Sequence, residues 1–412
     1  MNGPSRRRQA GSRQTLAQAV VAIAAAAATA SYALAIVATP APVSRYVAAP
    51  EAMLVRALLD IRDSKFSSAF DHIDNLLVSN PNFRLAQLVK GDLLMARTRP
   101  IDSIGNAAGG SAEQVAGLRD EARIRIVRSQ IDTSSELVPR YLLQLPAKEK
   151  LALVLDSTKS TLFVFENSGK APHYIADYYV TIGKNGLEKF REGDKRTPVG
   201  VYHVVSQLPR ARLTEFYGSG AYPISYPNEW DQMRGRNGHG IWLHGTPRDT
   251  YSRPPRASDG CIVLTNQDLE TLAAKLQIGS TPIVIADSID WARPEEVESL
   301  RADLASSIEN WRRDWESRNT DAYLRHYARK FTSNGLNLAQ WSAQKHQVNA
   351  GKNWIKVRVS DVSLLLYPGK GDMAVATFEQ DYTSSNLANR MMKRQYWIRE
   401  NNKWRIVFEG AA

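Results

Sequence analysis

Between Gln14 and Ser44 the chain carries no charged residue. The stretch TLAQAVVAIAAAAATASYALAIVAT is apolar for longer than the roughly 20 residues a helix needs to cross a bilayer. Arg6, Arg7, Arg8 and Arg13 precede it, which predicts a cytoplasmic N-terminus and an exported remainder. Small residues at Ala28–Ala33 offer a cleavage site, so a signal peptide and an uncleaved anchor both fit, and the length favours the anchor. A buried soluble helix is the bland alternative, but the segment has no polar face.

Helical spacing follows. Leu54, Leu58, Leu59, Ile73, Leu76 and Leu77 recur at three- and four-residue intervals, predicting a helical region over Ala48–Arg97. Ala69, Ile73, Leu76 and Pro81 fit the second helix of a tetratricopeptide unit, but a plain helical hairpin explains them as well. IDSIGNAAGGSAE breaks the pattern, and a further helix is expected over Gln114–Ile131.

After Pro146 the period shortens. LALVLDSTKSTLFVFEN reads as a hairpin, and YYVTIGK, TPVGVYHVV, GIWLHGT, CIVLTN and TPIVIAD continue as short strands between turns. One helix, Asn266–Leu276, interrupts this mostly β block, which ends near Asp287. From Pro294 to Phe331 the chain reads as one long or two shorter amphipathic helices. Strands at WIKVRVSDVSLLLY, DMAVATFEQDYTS, KRQYWIRE and KWRIVFEG then make a separate α+β unit. The expected organisation is multidomain: residues 1–45 a basic tail and signal or anchor helix, 46–145 helical, 146–288 mostly β, and 289–412 α+β.

Composition agrees with folded domains, at 43% hydrophobic and 23% charged residues over 412 positions. The net charge of +11 would suit an anionic lipid, wall polymer or nucleic acid. No arginine-rich helix, zinc-finger spacing or aromatic–basic ribonucleoprotein motif accompanies it, so nucleic acid is not expected. With neither HExxH nor paired cysteines, no metal or cofactor is expected.

The single cysteine, Cys261, lies in ASDGCIVLTN. It is either a small buried hydrophobe or a nucleophile. Seventeen residues earlier, GHGIWLHGT places His244 where a strand hands over to a loop. Adjacent strands would bring the two side chains together. An imidazole would lower the thiol pKa and then protonate a leaving amine, which is acyl-transfer chemistry. A backbone carbonyl or a carboxylate must fix the histidine tautomer. Gly260 allows a sharp bend, so the Gly260 and Cys261 N–H groups are candidate oxyanion donors. His239, five residues from His244, would fall on the other face of a strand and is read as structural.

HGT at His244–Thr246 followed by SDGCIVLTNQDL at Ser258–Leu269 resembles the signature of L,D-transpeptidase catalytic domains of the YkuD type. GDKRTPVGVYHV at Gly193–Val204, YYVTIGKNG and AYPISYPNEWD at Ala221–Asp231 resemble upstream parts of that family, in the same order. The resemblance covers Lys148–Asp287. It implies that Cys261 attacks the L-centre carbonyl of meso-diaminopimelate in a peptidoglycan stem and expels D-alanine. His244 would be the base, and the Gly245 carbonyl would orient it. Tyr222, Trp242, Arg256, Ser258 and Asp259 are the candidate substrate contacts, with Lys195 a further cation. Two positions depart from the family's common SHGC-aliphatic-Arg pattern: Asp259 replaces a histidine and Val263 an arginine. The missing arginine leaves the stem carboxylates without an obvious partner.

The C-terminal segment, with WRRDWESRNTDAYLRHY, MAVATFEQDYTSS and RQYWIRENNKWRIVFE, resembles a nuclear-transport-factor-two-like (NTF2-like) cone. Tyr382, Tyr396, Trp397 and Trp404 would line its pocket or pack its core. The domain order resembles helical-cell-shape L,D-carboxypeptidases, which trim a tetrapeptide stem to a tripeptide. The resemblance thus implies a periplasmic, envelope-bound peptidoglycan enzyme. The first expectation is transfer to an amine acceptor; hydrolysis and a non-catalytic tethering protein are the alternatives. The inner membrane, through the N-terminal segment, and a homodimer or protein partner, through the helical region, are the remaining expected contacts.

Overall fold

A computed structural model describes residues 49–412 except 107–109, 133–135, 170 and 370–371. The expected signal or anchor segment lies outside the described residues. Among those described, no helix is long and apolar enough to cross a membrane.

Among the described residues, four helices come first: α1 (Ala49–Arg62), α2 (Phe66–Ser79), α3 (Arg84–Met95) and α4 (Ala112–Ser129). Leu54, Leu58, Ala69, Ile73, Leu76 and Leu93 form one buried cluster between them. Ser111 caps α4, accepting from Gln114 N while the Gln114 side chain accepts from the Ser111 N–H. In the break before it, Ile101 and Ile104 are buried in the same cluster.

Next come β1 (Val138–Pro139), β2 (Leu142–Gln144), β3 (Leu151–Asp156), β4 (Thr161–Glu166), β5 (His173–Tyr179), β6 (Ile182–Gly183), β7 (Gly200–His203) and β8 (Ala221–Pro223). The short helix α5 (Glu229–Met233) precedes β9 (Trp242–His244), β10 (Arg256–Ser258) and β11 (Ile262–Val263). Helix α6 (Asn266–Ala273), β12 (Pro282–Ala286) and β13 (Trp291–Ala292) complete this part. The main sheet has the order β5-β4-β3-β12-β7, and a smaller one runs β11-β9-β8.

Nearly every position of β3 and β4 is buried. Alternation explains it, because both faces of the sheet are covered. Leu151, Leu153, Leu155, Leu162 and Val164 point into the domain's own core. Ala152, Val154, Phe163 and Phe165 point the other way and join a cluster with Trp311, Leu364 and Trp397 of the C-terminal part.

That part holds α7 (Pro294–Glu316), α8 (Thr320–Leu324), β14 (Tyr327–Ser333), β15 (Leu336–Asn337), α9 (Leu338–Ala350), β16 (Ile355–Leu366), β17 (Met373–Ser384), β18 (Leu387–Glu400) and β19 (Lys403–Ala411). The helical reading to Phe331 is corrected: helix stops at Leu324, and Tyr327–Ser333 pairs with β19 as a strand. Its aromatic side chains pack beneath Trp311 and Trp341, and that tertiary burial outweighs local periodicity. A seven-stranded sheet, β15-β14-β19-β18-β17-β16-β2, results. Its last strand, β2, precedes the five-stranded sheet in the chain. Tyr382, Tyr396, Trp397 and Trp404 are all buried; Tyr396 donates to Glu229 Oε2 at 2.8 Å and Trp404 to Asp303 Oδ2 at 3.1 Å.

Candidate active site

The turn before Cys261 depends on glycine. Gly260 has φ +125°, and a Cβ there would lie 2.8 Å from Arg196 O and 3.1 Å from Ile241 Cδ1. Thr197 Oγ1 donates to Gly260 O at 2.9 Å. Ser258 Oγ donates to Cys261 O at 2.6 Å and accepts from Gly260 N at 3.1 Å. These bonds hold the cysteine at the head of β11.

Strands β11 and β9 run parallel, with Ile262 opposite Leu243 and Val263 opposite His244. Leu243 and Ile262 are buried in the catalytic core. Side chains alternate along a strand, so Trp242 and His244 stand on the opposite face together with Cys261. The half-buried thiol donates to Gly240 O at 3.3 Å.

His244 is buried, with Nδ1 2.7 Å from Gly245 O. A carbonyl only accepts, so Nδ1 carries the hydrogen and Nε2 keeps its lone pair. The Tyr217 ring meets the imidazole edge-on at 5.2 Å, Phe216 lies 5.8 Å away, and Trp242 flanks Tyr217 at 4.9 Å. Asn266 ties the turn: its Oδ1 accepts from Ser219 N at 2.8 Å and Thr246 N at 3.2 Å, and its Nδ2 donates to Thr246 O at 2.8 Å. A Cβ on Gly245 would lie 2.1 Å from that Oδ1.

Burial sets the protonation states. It pushes the His244 pKa down to about 4, against the raising effect of the Gly245 carbonyl, and Arg253 lowers it further. It pushes the Cys261 thiol up to about 11, and Asp259 adds to this, while the Trp242 N–H, Arg253 and Lys189 act downward. Burial thus favours the thiol and the neutral imidazole over their charged forms.

The remaining candidates divide. Trp242 is at the site. Tyr222 is not: it pairs with Leu243 and is buried in the core on the other face, because a three-residue strand gives no pattern from which to read its facing. Ser258 is buried and braces the nucleophile turn instead of offering its hydroxyl to a substrate. Asp259 is exposed, 3.8 Å from Lys195 Nζ. Arg256 is exposed on β10 beside Ile182. The Gly260 N–H is engaged by Ser258, which leaves the Cys261 N–H as the candidate oxyanion donor. His239 is not a structural residue; its side chain is 79% exposed on the loop before β9, 3.6 Å from Glu192. Sequence reasoning missed Phe216, Tyr217, Arg253 and Asn266.

Residues 150–285 match the L,D-transpeptidase catalytic domain, and residues 303–410 match the Cds6 C-terminal NTF2-like domain. Bd1075 of Bdellovibrio bacteriovorus is similar in structure with a TM-score of 0.59 at 28% identity, over 67% of this chain and 98% of its own. The helical cell shape determining protein Pgp2 from Campylobacter jejuni is similar with a TM-score of 0.57 at 25% identity, over 68% of this chain and 97% of its own. No curated protein matches the chain in sequence. This chain is an enzyme of the L,D-transpeptidase type whose catalytic domain is followed by an NTF2-like domain.

Proposed function

We propose that the enzyme opens the bond between meso-diaminopimelate and D-alanine in peptidoglycan tetrapeptide stems through a thioester on Cys261. The observation that carries this is the shared sheet face of Cys261 and His244, with the imidazole tautomer set by Gly245 O. His244 Nε2 takes the thiol proton as sulfur attacks the carbonyl at the L-centre. The oxyanion forms against the Cys261 N–H. The imidazolium then gives its proton to the departing amine, and D-alanine leaves. An acceptor, deprotonated in turn by His244, attacks the thioester and frees the thiol.

Our first choice of acceptor is water, giving a tripeptide stem and L,D-carboxypeptidase activity. The similarity to the helical cell shape determining protein, over 68% of this chain and 97% of its own, supports it. The second reading, transfer to an amine, is supported by the match of residues 150–285 to the transpeptidase domain. Mass spectrometry of products from purified tetrapeptide muropeptides separates them. Loss of one D-alanine without dimers means hydrolysis, whereas a diaminopimelate–diaminopimelate link means transfer. Such a substrate places the enzyme in the cell envelope, reached through the uncharged stretch Gln14–Ser44, and fractionation of cells tests that placement.

A further inference from the structure

Arg253 lies in the connection between β9 and β10. Its guanidinium carbon sits 4.6 Å from the centre of the Phe216 ring, on the side of the site where Phe216 flanks His244. The backbone there is pinned: Arg253 O accepts from Tyr179 Oη at 2.9 Å and from Thr181 Oγ1 at 3.0 Å. Stacking on an aromatic face fixes the plane of the guanidinium and leaves its N–H edge free for a partner.

No such partner is present among the described residues. The Arg253 side chain donates no hydrogen bond and has no carboxylate within ion-pair distance. Neighbouring cations are engaged: Lys189 with Asp194 at 2.9 Å, Lys195 with Asp259 at 3.8 Å, Arg248 with Glu215 at 3.3 Å, and Arg196 with Leu187 O at 2.7 Å. Cys261 is near enough to act electrostatically on Arg253, as are Asp259, Asp249 and the like charge of Arg84. A half-buried guanidinium without a counter-charge is a costly arrangement, and an incoming anion relieves it.

Position decides which anion. His244 must reach the nitrogen of the leaving residue to protonate it. The carboxyl carbon of a terminal amino acid is two bonds from that nitrogen. A cation beside the thiol–imidazole pair is therefore within reach of the leaving residue's carboxylate. We infer that Arg253 reads the free carboxylate of the leaving residue, restricting Cys261 to peptides that end one residue beyond the scissile bond. Arg253 would thereby supply, from a different loop, a positive charge in a site whose motif has Val263 in place of arginine.

The inference rests on the proposed D-alanine release. The test compares tetrapeptide with its C-terminal amide and with a stem extended by one D-alanine, using wild type, Arg253→Gln and Arg253→Lys. Wild type should favour the free tetrapeptide by about 10- to 100-fold in kcat/KM, the range of a charge-assisted hydrogen bond. Arg253→Gln should lose that preference by slowing the free-acid reaction more than the amide reaction, mainly through KM. Arg253→Lys should restore part of the preference, since it keeps the charge but not the fork. A preference that survives in Arg253→Gln overturns the inference, as does an equal loss on acid and amide, which would assign the arginine to the thiol–imidazole pair alone. Wild type that cleaves all three equally removes Arg253's role and leaves the proposed function standing. Wild type that cleaves none removes both.

Discussion

With the Cys261 thiol at about 11 and His244 at about 4, the base form of the imidazole is present throughout the neutral range while the thiol stays protonated. Attack then requires proton transfer to Nε2 rather than a standing thiolate. Alkylation by iodoacetamide follows the thiolate fraction, so its rate should climb about tenfold per pH unit from pH 7 to 10. A plateau near neutrality would show an ion pair instead. The acid limb of kcat/KM should fall near the histidine value, because protonating His244 removes the base. His244→Ala should lower turnover by at least about a thousandfold. His239→Ala should change neither turnover nor melting by much, since its side chain is exposed and only weakly paired. Cys261 and His244 were legible in the sequence because rare residue types stood at strand ends with a loop between them. Tyr222 and Ser258 were misread because strands of three residues carry too little alternation to show facing. Arg253, Phe216 and Asn266 reach the site through tertiary contacts, and no local pattern marks them.

At the scale of elements, helix α4 is tied to the catalytic sheet by charge. Arg125 is buried, bonded to Glu121 at 2.7 Å and paired with Glu51, and its guanidinium lies 4.0 Å from the Tyr179 ring centre. Arg128 reaches Asp177 of β5 at 2.6 Å, and Ser252, next to Arg253, donates to Glu121 at 2.7 Å. Removing one partner of a buried pair strands the other, so Arg125→Ala should cost about 3–5 kcal/mol in urea unfolding. Arg125→Ala with Glu121→Leu should recover part of that loss; no recovery would mean that the packing of Arg125, not its charge, is what matters. The helix itself was expected, over Gln114–Ile131. The burial of its Glu121, Arg125 and Arg128 was not, because charged residues on a helix ordinarily mark its solvent face.

For the whole molecule, the catalytic sheet and the NTF2-like part share one apolar cluster, and β2 extends the C-terminal sheet from the other side. A signal for this lay in the sequence: LALVLD and TLFVFE are apolar on both faces, which a sheet covered on one side does not require. The order of helical, β and α+β parts was legible because their hydrophobic periods differ. Which part covers the second face was not, since contacts between Phe165 and the distant C-terminal core leave no trace in spacing. A chain ending at residue 288 should expose Val154, Phe163 and Phe165, bind a hydrophobic dye and lose cooperative unfolding. Sharp, dye-free melting of that fragment would show that the two parts fold independently.

The most direct measurement is D-alanine release from purified tetrapeptide stems by wild type and by folded Cys261→Ala. Wild type should release one D-alanine per stem, and the variant should be slower by at least about a thousandfold. Comparable release by both proteins, or none by wild type, would contradict a thioester on Cys261.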